Sequence, residues 1–279
     1  MEILIDVLGE SAKVTLFVLA MMIAVDFINV KTKGKLESIL RSGRRWKQYV
    51  VSSLLGTAPG CLGSFAGVSL YIHGMISFGA ITGLMLATAG DEQFVMLALI
   101  PKTAIILFGI LFLLGIFAGY LTDFFVKKFH IQTCTDCEIK QYHPGHEGYK
   151  HYFKTHIWTH IIKGHLVRIF LWTFGALLVV EYAMTFVNLQ SITSEYKFLL
   201  LILAALIGLI PESGPHLIFV MLFANGLIPF SILLTSSVVQ DGHGLLPMLS
   251  YSVKDSVLVK IFNLGFGLLI GLILYVIGL

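Results

Sequence analysis

The sequence predicts an all-α polytopic membrane protein of two inverted-topology repeats. Pro/Gly-broken helices or re-entrant hairpins from both repeats are expected to meet near the bilayer midplane. Three observations predict this. The chain is 57% hydrophobic and 13% charged, where soluble domains carry about 25% charge. It repeats itself: with Pro59 on Pro211, an offset of 152, Gly56 meets Gly208, Gly74 meets Gly226, Phe78 meets Phe230 and Gly90 meets Gly242. And its long apolar segments are interrupted at matching places by Pro and Gly, the pattern of proteins built from repeated broken helices.

The elements follow in order. The first apolar run, Val14 to Val25, ends in Asp26-Phe27-Ile28-Asn29 without a small-residue cleavage site, and reads as an anchored helix. Membrane segments are expected at about 7–30, 46–74, 75–101, 102–126, 166–187, 198–225, 226–253 and 256–278. The segments 46–74 and 198–225 exceed a plain span and carry Pro and Gly at their centres. Such breaks persist in a bilayer only where protein buries them or they line a cavity. In the last third of each repeat, Met96-Leu97 faces Met248-Leu249, Lys102 faces Lys254, and Gly115 and Gly119 face Gly267 and Gly271. Upstream the offset becomes 155, so that Gly9-Glu10 faces Gly164-His165 and Val25-Asp26 faces Val180-Glu181. Four glycine pairs at i, i+4 (Gly63/Gly67, Gly79/Gly83, Gly115/Gly119 and Gly267/Gly271) suit close helix crossings.

Charge sets the orientation. Loop 31–47 holds seven basic residues against Glu37, and linker 127–165 opens with Lys127-Lys128 and adds four more lysines. The positive-inside rule places both in the cytoplasm of a cell (inner) membrane. Each repeat then crosses an odd number of times and the second is inserted upside down. The organisation read from this is a first transmembrane repeat at 1–126, a cytoplasmic His/Cys-rich linker at 127–165 and a second repeat at 166–279. The net charge of +3 is small and its bases sit in loops, so no nucleic-acid partner is expected. The partners expected are the lipid bilayer, a metal-ion substrate and a second copy of the chain.

Ionisable groups inside apolar segments are expensive and mark function. The first break reads Gly56-Thr57-Ala58-Pro59-Gly60-Cys61-Leu62-Gly63-Ser64, and its mate Gly208-Leu209-Ile210-Pro211-Glu212-Ser213-Gly214-Pro215-His216. The second break reads Ala89-Gly90-Asp91-Glu92-Gln93, and its mate Gln240-Asp241-Gly242-His243-Gly244. Asp91, Glu92, Glu212 and Asp241 are hard oxygen donors, with Gln240, His243 and His216 beside them and Cys61 as one thiol. This mixture suits Mn²⁺ ahead of Mg²⁺, Fe²⁺ or Zn²⁺. The plainer readings are a polar membrane-edge turn, a helix N-terminal acid at Glu212 and a hydrogen-bonded core histidine at His216. Asp26, Glu181, Lys102 and Lys254 are further ion or proton sites, or else interfacial groups. In the linker, His130, Cys134, Cys137, His143 and His146 have zinc-like spacing. Cys134, Cys137, His143 and His146 are the candidate ligands for Zn²⁺ or another metal there, against a merely polar linker or a redox pair.

These stretches, Pro59-Gly60-Cys61, Ser77-Phe78-Gly79-Ala80, Gly90-Asp91, Pro211 to Val220, Leu227-Ile228-Pro229-Phe230 and Gln240-Asp241-Gly242, resemble the ten-transmembrane heavy-metal exporters, a family labelled as manganese transporters or arsenic efflux proteins. The resemblance implies a transporter over essentially the whole chain outside the linker. The family's second break often reads Pro-Gly-Cys-Gly-Pro. Glu212 and Ser213 here replace the Gly and Cys, which removes a thiol and adds a carboxylate, and turns the expectation from arsenite toward manganese. The sequence carries no P-loop, no H-E-x-x-H and no Ser/His/Asp spacing. The reading is therefore a gradient-driven, alternating-access exporter of a divalent metal that is not an enzyme and requires no cofactor. Rival readings are an anion or small-organic-acid transporter that uses half-helix N-termini, and a metal-sensing membrane protein that uses the linker.

Overall fold

The structure, a computed structural model, describes residues 45–60, 62–90, 92–133, 197–212 and 214–278, with residues 4–9, 11, 12, 15, 16, 19, 20, 23, 170, 171, 174, 175 and 178. The described residues are helical apart from short turns. Ten helices are labelled in chain order: α1 Arg45–Gly56, α2 Leu62–Ile72, α3 Phe78–Ala87, α4 Glu92–Leu99, α5 Pro101–Lys128, α6 Lys197–Ile207, α7 Gly214–Ala224, α8 Phe230–Val239, α9 Leu245–Tyr251 and α10 Val253–Ile277. A 3₁₀ turn, Gly242–Gly244, precedes α9.

The internal duplication is visible element by element. Shifted by the 152 residues that separate Pro59 from Pro211, α2 falls on α7 from end to end, and α3 falls on α8. Starts and ends of the other pairs agree within a few residues. The turns repeat too. Gly74 donates its N–H to the Tyr71 carbonyl (2.8 Å) and Met75 to Leu70 (2.9 Å), while Gly226 donates to Phe223 (2.9 Å) and Leu227 to Leu222 (2.9 Å). Both are Schellman closures, which need a left-handed residue, and the two glycines have φ of 64° and 69°. Gly90 and Gly242, at the other interruption, match at 55° and 51°.

The interruptions fall where Pro and Gly predict them. The segment 46–74 becomes α1 and α2 on either side of Thr57–Gly60, and the segment 75–101 becomes α3 and α4 on either side of Thr88–Gly90. At 1.5 Å per residue, the 11 residues of α2 and the 10 of α3 each reach about 16 Å. That is half of the ~30 Å hydrocarbon thickness. Among the described residues two helices are long and apolar enough to cross a membrane, α5 with 28 residues and α10 with 25. Pro101 opens α5 at a position whose N–H would have no intrahelical partner, and Lys127 and Lys128 close it where the helix dipole favours cations. Ser252 caps α10, its hydroxyl accepting from the Asp255 N–H at 3.1 Å.

Burial orders these elements into layers. All ten residues of α3 are buried, and so are all those of α8 except Phe230. An apolar helix with no polar face belongs in the centre. α3 packs on α1 and α5, and α8 packs on α6 and α10. The outer faces of α5 and α10 expose Ile105, Ile106, Leu113, Phe117, Ile261, Leu269 and Ile273, surfaces suited to lipid and unlike those of soluble monomers. Two of the four glycine pairs lie where α3 crosses α5. The Gly79 and Gly83 positions abut the carbonyl oxygens of Gly119 and Gly115 so closely that a side chain cannot enter. In the second copy, Gly267 and Gly271 face Val239 and Thr235 of α8.

Between copies one pair of contacts is reciprocal. α2 touches α9 and α7 touches α4, each pair being the image of the other under the offset. Reciprocity of this kind is the property of an isologous pair. The centre of the molecule is therefore formed by the half-length helices and the ends of their interruptions.

Candidate functional site

The second copy gathers its polar residues around its two interruptions. Pro211-Glu212 follows α6, and Gln240 to Gly244 follows α8. The chain leaves the helix at Val239 because Gln240 and Asp241 take non-helical backbone angles and Gly242 is left-handed. This brings His243 over the first interruption. Its Nε2 lies 3.0 Å from Glu212 Oε2, with both side chains largely out of solvent. The 3₁₀ turn carrying His243 rests on α2 of the first copy: a side chain at Gly244 would meet the Ser64 hydroxyl at 2.7 Å. The Glu212–His243 pair thus sits where both interruptions of one copy meet a helix of the other.

Asp241, two residues before His243, is engaged elsewhere. It is fully buried. Its Oδ2 is 2.7 Å from the Lys260 ammonium, and its Oδ1 accepts from Asn263 Nδ2 at 2.8 Å. Lys260 also donates to the Gly208 carbonyl at 2.7 Å and to the Val239 carbonyl at 3.3 Å. One ammonium thus joins the ends of α6 and α8 and the second interruption, all from the side of α10.

The remaining predicted residues fall into distinct groups. His216 is fully buried, its Nε2 3.3 Å from the Ile210 carbonyl and its Nδ1 3.5 Å from Ser236 Oγ. These bonds tie α7 to the interruption before it and to α8. Gln240 is fully buried, and neither atom of its carboxamide meets a hydrogen-bonding partner among the described residues. Glu92 is buried in the first turn of α4. Lys102 and Lys254 are exposed at the starts of α5 and α10. Cys61, Asp91, Asp26, Glu181, Cys134, Cys137, His143 and His146 lie outside the described residues. Among the described residues no three of His, Cys, Asp and Glu converge as a metal cluster.

The first copy joins its interruptions with an amide. With the Gln93 nitrogen turned toward the Ala58 carbonyl (3.2 Å), its oxygen accepts from the Ala89 N–H (3.2 Å). A second buried carboxylate, Asp123, sits at the far end of α5. It accepts from Tyr49 Oη (2.8 Å), Ser77 Oγ (2.6 Å) and the Gly79 N–H (2.7 Å), and so covers the N-terminus of α3. Asp255 links the copies, accepting from Tyr71 Oη of α2 at 2.6 Å.

The sequence reading passes over Lys260, Asn263 and Asp123. A signal was there. Lys260 and Asn263 are polar residues inside an apolar run, three apart and so on one helix face.

These features define a class: a duplicated helical protein whose half-length helices end around buried, charge-bearing interruptions. A family model described as "Putative, 10TM heavy-metal exporter" matches residues 1–176 and 163–278. The chain belongs to this family of multi-pass membrane exporters. No curated protein and no solved structure matches it.

Proposed function

We propose that the protein exports a divalent transition-metal cation, manganese ahead of zinc, iron or magnesium, by proton-driven alternating access. The observation that carries this is the Glu212–His243 pair, 3.0 Å apart and contributed by two separate interruptions. A carboxylate and an imidazole are the hard and borderline donors that suit Mn²⁺ and its neighbours. Gln240, buried and without a hydrogen-bonding partner among the described residues, offers an uncommitted amide oxygen three residues before His243. Asp241, held by Lys260 and Asn263, acts as a positioning residue for the loop that carries His243. Glu92, and Asp91 and Cys61 from the first copy, complete the candidate donor set. A cation seated between Glu212 and His243 must break their mutual bond and displace the proton it carries. Metal binding to such groups releases protons, which is the coupling that proton exchange requires.

In this reading the copies are inserted in opposite orientations, with loop 31–47 and linker 127–165 cytoplasmic. The basic loops support it. The half-length helices support interruptions near the midplane, the usual location of the site in transporters with inverted repeats. Alternating access is then a rocking of one copy against the other about the α2/α9 and α4/α7 contacts. The linker residues Cys134, Cys137, His143 and His146 would hold a second metal, such as Zn²⁺, on the cytoplasmic side.

The test is flux into sealed proteoliposomes loaded with a divalent-metal reporter dye. Wild type is expected to carry Mn²⁺ at a rate set by the imposed pH gradient. Glu212→Gln and His243→Ala are each expected to lower that rate at least about tenfold. Intact wild-type protein that moves none of Mn²⁺, Zn²⁺ and Fe²⁺ would end the metal reading and favour an anionic substrate.

A further inference from the structure

Lys260 is the positive centre of a site that has the composition of a bound-cation site. Its ammonium is 8% exposed as a residue and has three oxygens around it: Asp241 Oδ2 at 2.7 Å, Gly208 O at 2.7 Å and Val239 O at 3.3 Å. The two carbonyls are those that the interruptions release. Val239 is the last residue of α8, and Gly208 directly follows the last residue of α6. Carbonyls at helix C-termini have no intrahelical donor and bear partial negative charge. Asn263, one turn along α10, orients the carboxylate through its other oxygen.

Carbonyls from unwound helix ends are the donors by which broken-helix transporters hold a coupling Na⁺, and the Asp241 carboxylate adds a charged oxygen to the two carbonyls here. Here the charge arrives on a side chain. The first copy has nothing comparable, since the positions matching Asp241, Lys260 and Asn263 are Ala89, Phe108 and Leu111.

We infer that the protein contains a monovalent-cation site in its second copy that its own Lys260 ammonium occupies permanently, in place of a coupling Na⁺. Two consequences follow. The intact protein neither binds nor needs Na⁺. Truncating Lys260 opens the site to a small free cation. Lys260→Ala removes Cγ, Cδ, Cε and Nζ, and n-propylammonium restores the same three carbons and nitrogen. Na⁺ fits the oxygens alone. The Na⁺ independence of flux rests on the transport reading above, whereas cation binding does not.

The experiment measures thermal unfolding of the purified full chain in detergent. Na⁺ or n-propylammonium is titrated against N-methylglucamine at constant ionic strength. Lys260→Ala is expected to unfold at a lower temperature than wild type in N-methylglucamine and to recover saturably with either cation. Wild type, and the double variant Asp241→Asn/Lys260→Ala, are expected not to respond. Lys260→Ala that responds no more than wild type would overturn the site, as would an equal response in the double variant. Lys260→Met fills the stem's volume. It is expected to respond to Na⁺ but not to n-propylammonium, and a response to neither overturns the proposal even if Lys260→Ala does not fold. In proteoliposomes, wild-type flux is expected to be unchanged when N-methylglucamine replaces Na⁺, and a loss on replacement overturns it. Absence of all metal flux would refute the export reading and leave the unfolding results standing.

Discussion

An alanine at Gly115 tests the helix crossing at the heart of the first copy. A Cβ there would stand 2.6 Å from the Gly83 carbonyl oxygen and 2.6 Å from Ser53 Oγ. Ordinary contact begins near 3.4 Å, so the overlap is about 0.8 Å. The Ser53 hydroxyl can rotate away. The Gly83 carbonyl cannot, because it belongs to α3, buried over its whole length. α3 and α5 must therefore separate, and overpacking of this kind costs about 1–3 kcal/mol. The same helix supplies its own control. Gly109 is exposed, and a Cβ there meets nothing within 4 Å. Both substitutions gain similar helix propensity, up to about 1 kcal/mol. That gain cancels in the comparison, so Gly115→Ala is expected to be about 1–3 kcal/mol less stable than Gly109→Ala. Gly119→Ala, with its Cβ 2.9 Å from the Gly79 carbonyl, should fall between them. The assay is reversible unfolding in mixed micelles, followed by tryptophan fluorescence. Equal midpoints for Gly109→Ala and Gly115→Ala would refute the reasoning.

Asp241→Asn leaves the Lys260 ammonium buried without its anion and should destabilise by about 3–5 kcal/mol, while Asp241→Asn/Lys260→Met should recover most of that loss; a double-mutant cycle in the same unfolding assay measures both. Tyr71→Phe removes a charge-assisted bond between the copies and should cost about 1.5–3 kcal/mol, seen as a lower unfolding midpoint. Ser77→Ala loses both the bond its hydroxyl accepts from the Ala80 N–H (3.2 Å) and the one it donates to Asp123. It should destabilise by at least the ~1 kcal/mol of a lost N-cap, with amide exchange fastest in the first turn of α3.

The skeleton of the fold is legible in the sequence because backbone rules are local. Pro59 and Pro211 cannot continue a helix, and Gly90 and Gly242 take up left-handed φ in the structure as their composition suggests. The chemistry is less legible for a definite reason. Residue type tells which atoms a side chain offers, but not which of them the fold has already engaged. Asp241 and Glu212 look alike as carboxylates in a Gly-flanked turn. Only the fold shows that Asp241 faces an ammonium from α10 and Glu212 an imidazole from the 3₁₀ turn. Comparing the copies also directs attention to aligned polar positions. Lys260 and Asn263 escape notice because their mates, Phe108 and Leu111, are apolar.

That mismatch between mates bears on what each half contributes to the interior. If two copies of the first half associated, both of their equivalents of the Lys260 centre would be hydrocarbon. Two copies of the second half would carry two such ammonium–carboxylate centres and two Glu212–His243 pairs. The chain divides its labour: one copy is fastened by an amide and the other by an ion pair. Halves expressed as separate chains are therefore not interchangeable, and only the pairing of unlike halves reproduces the interior described above.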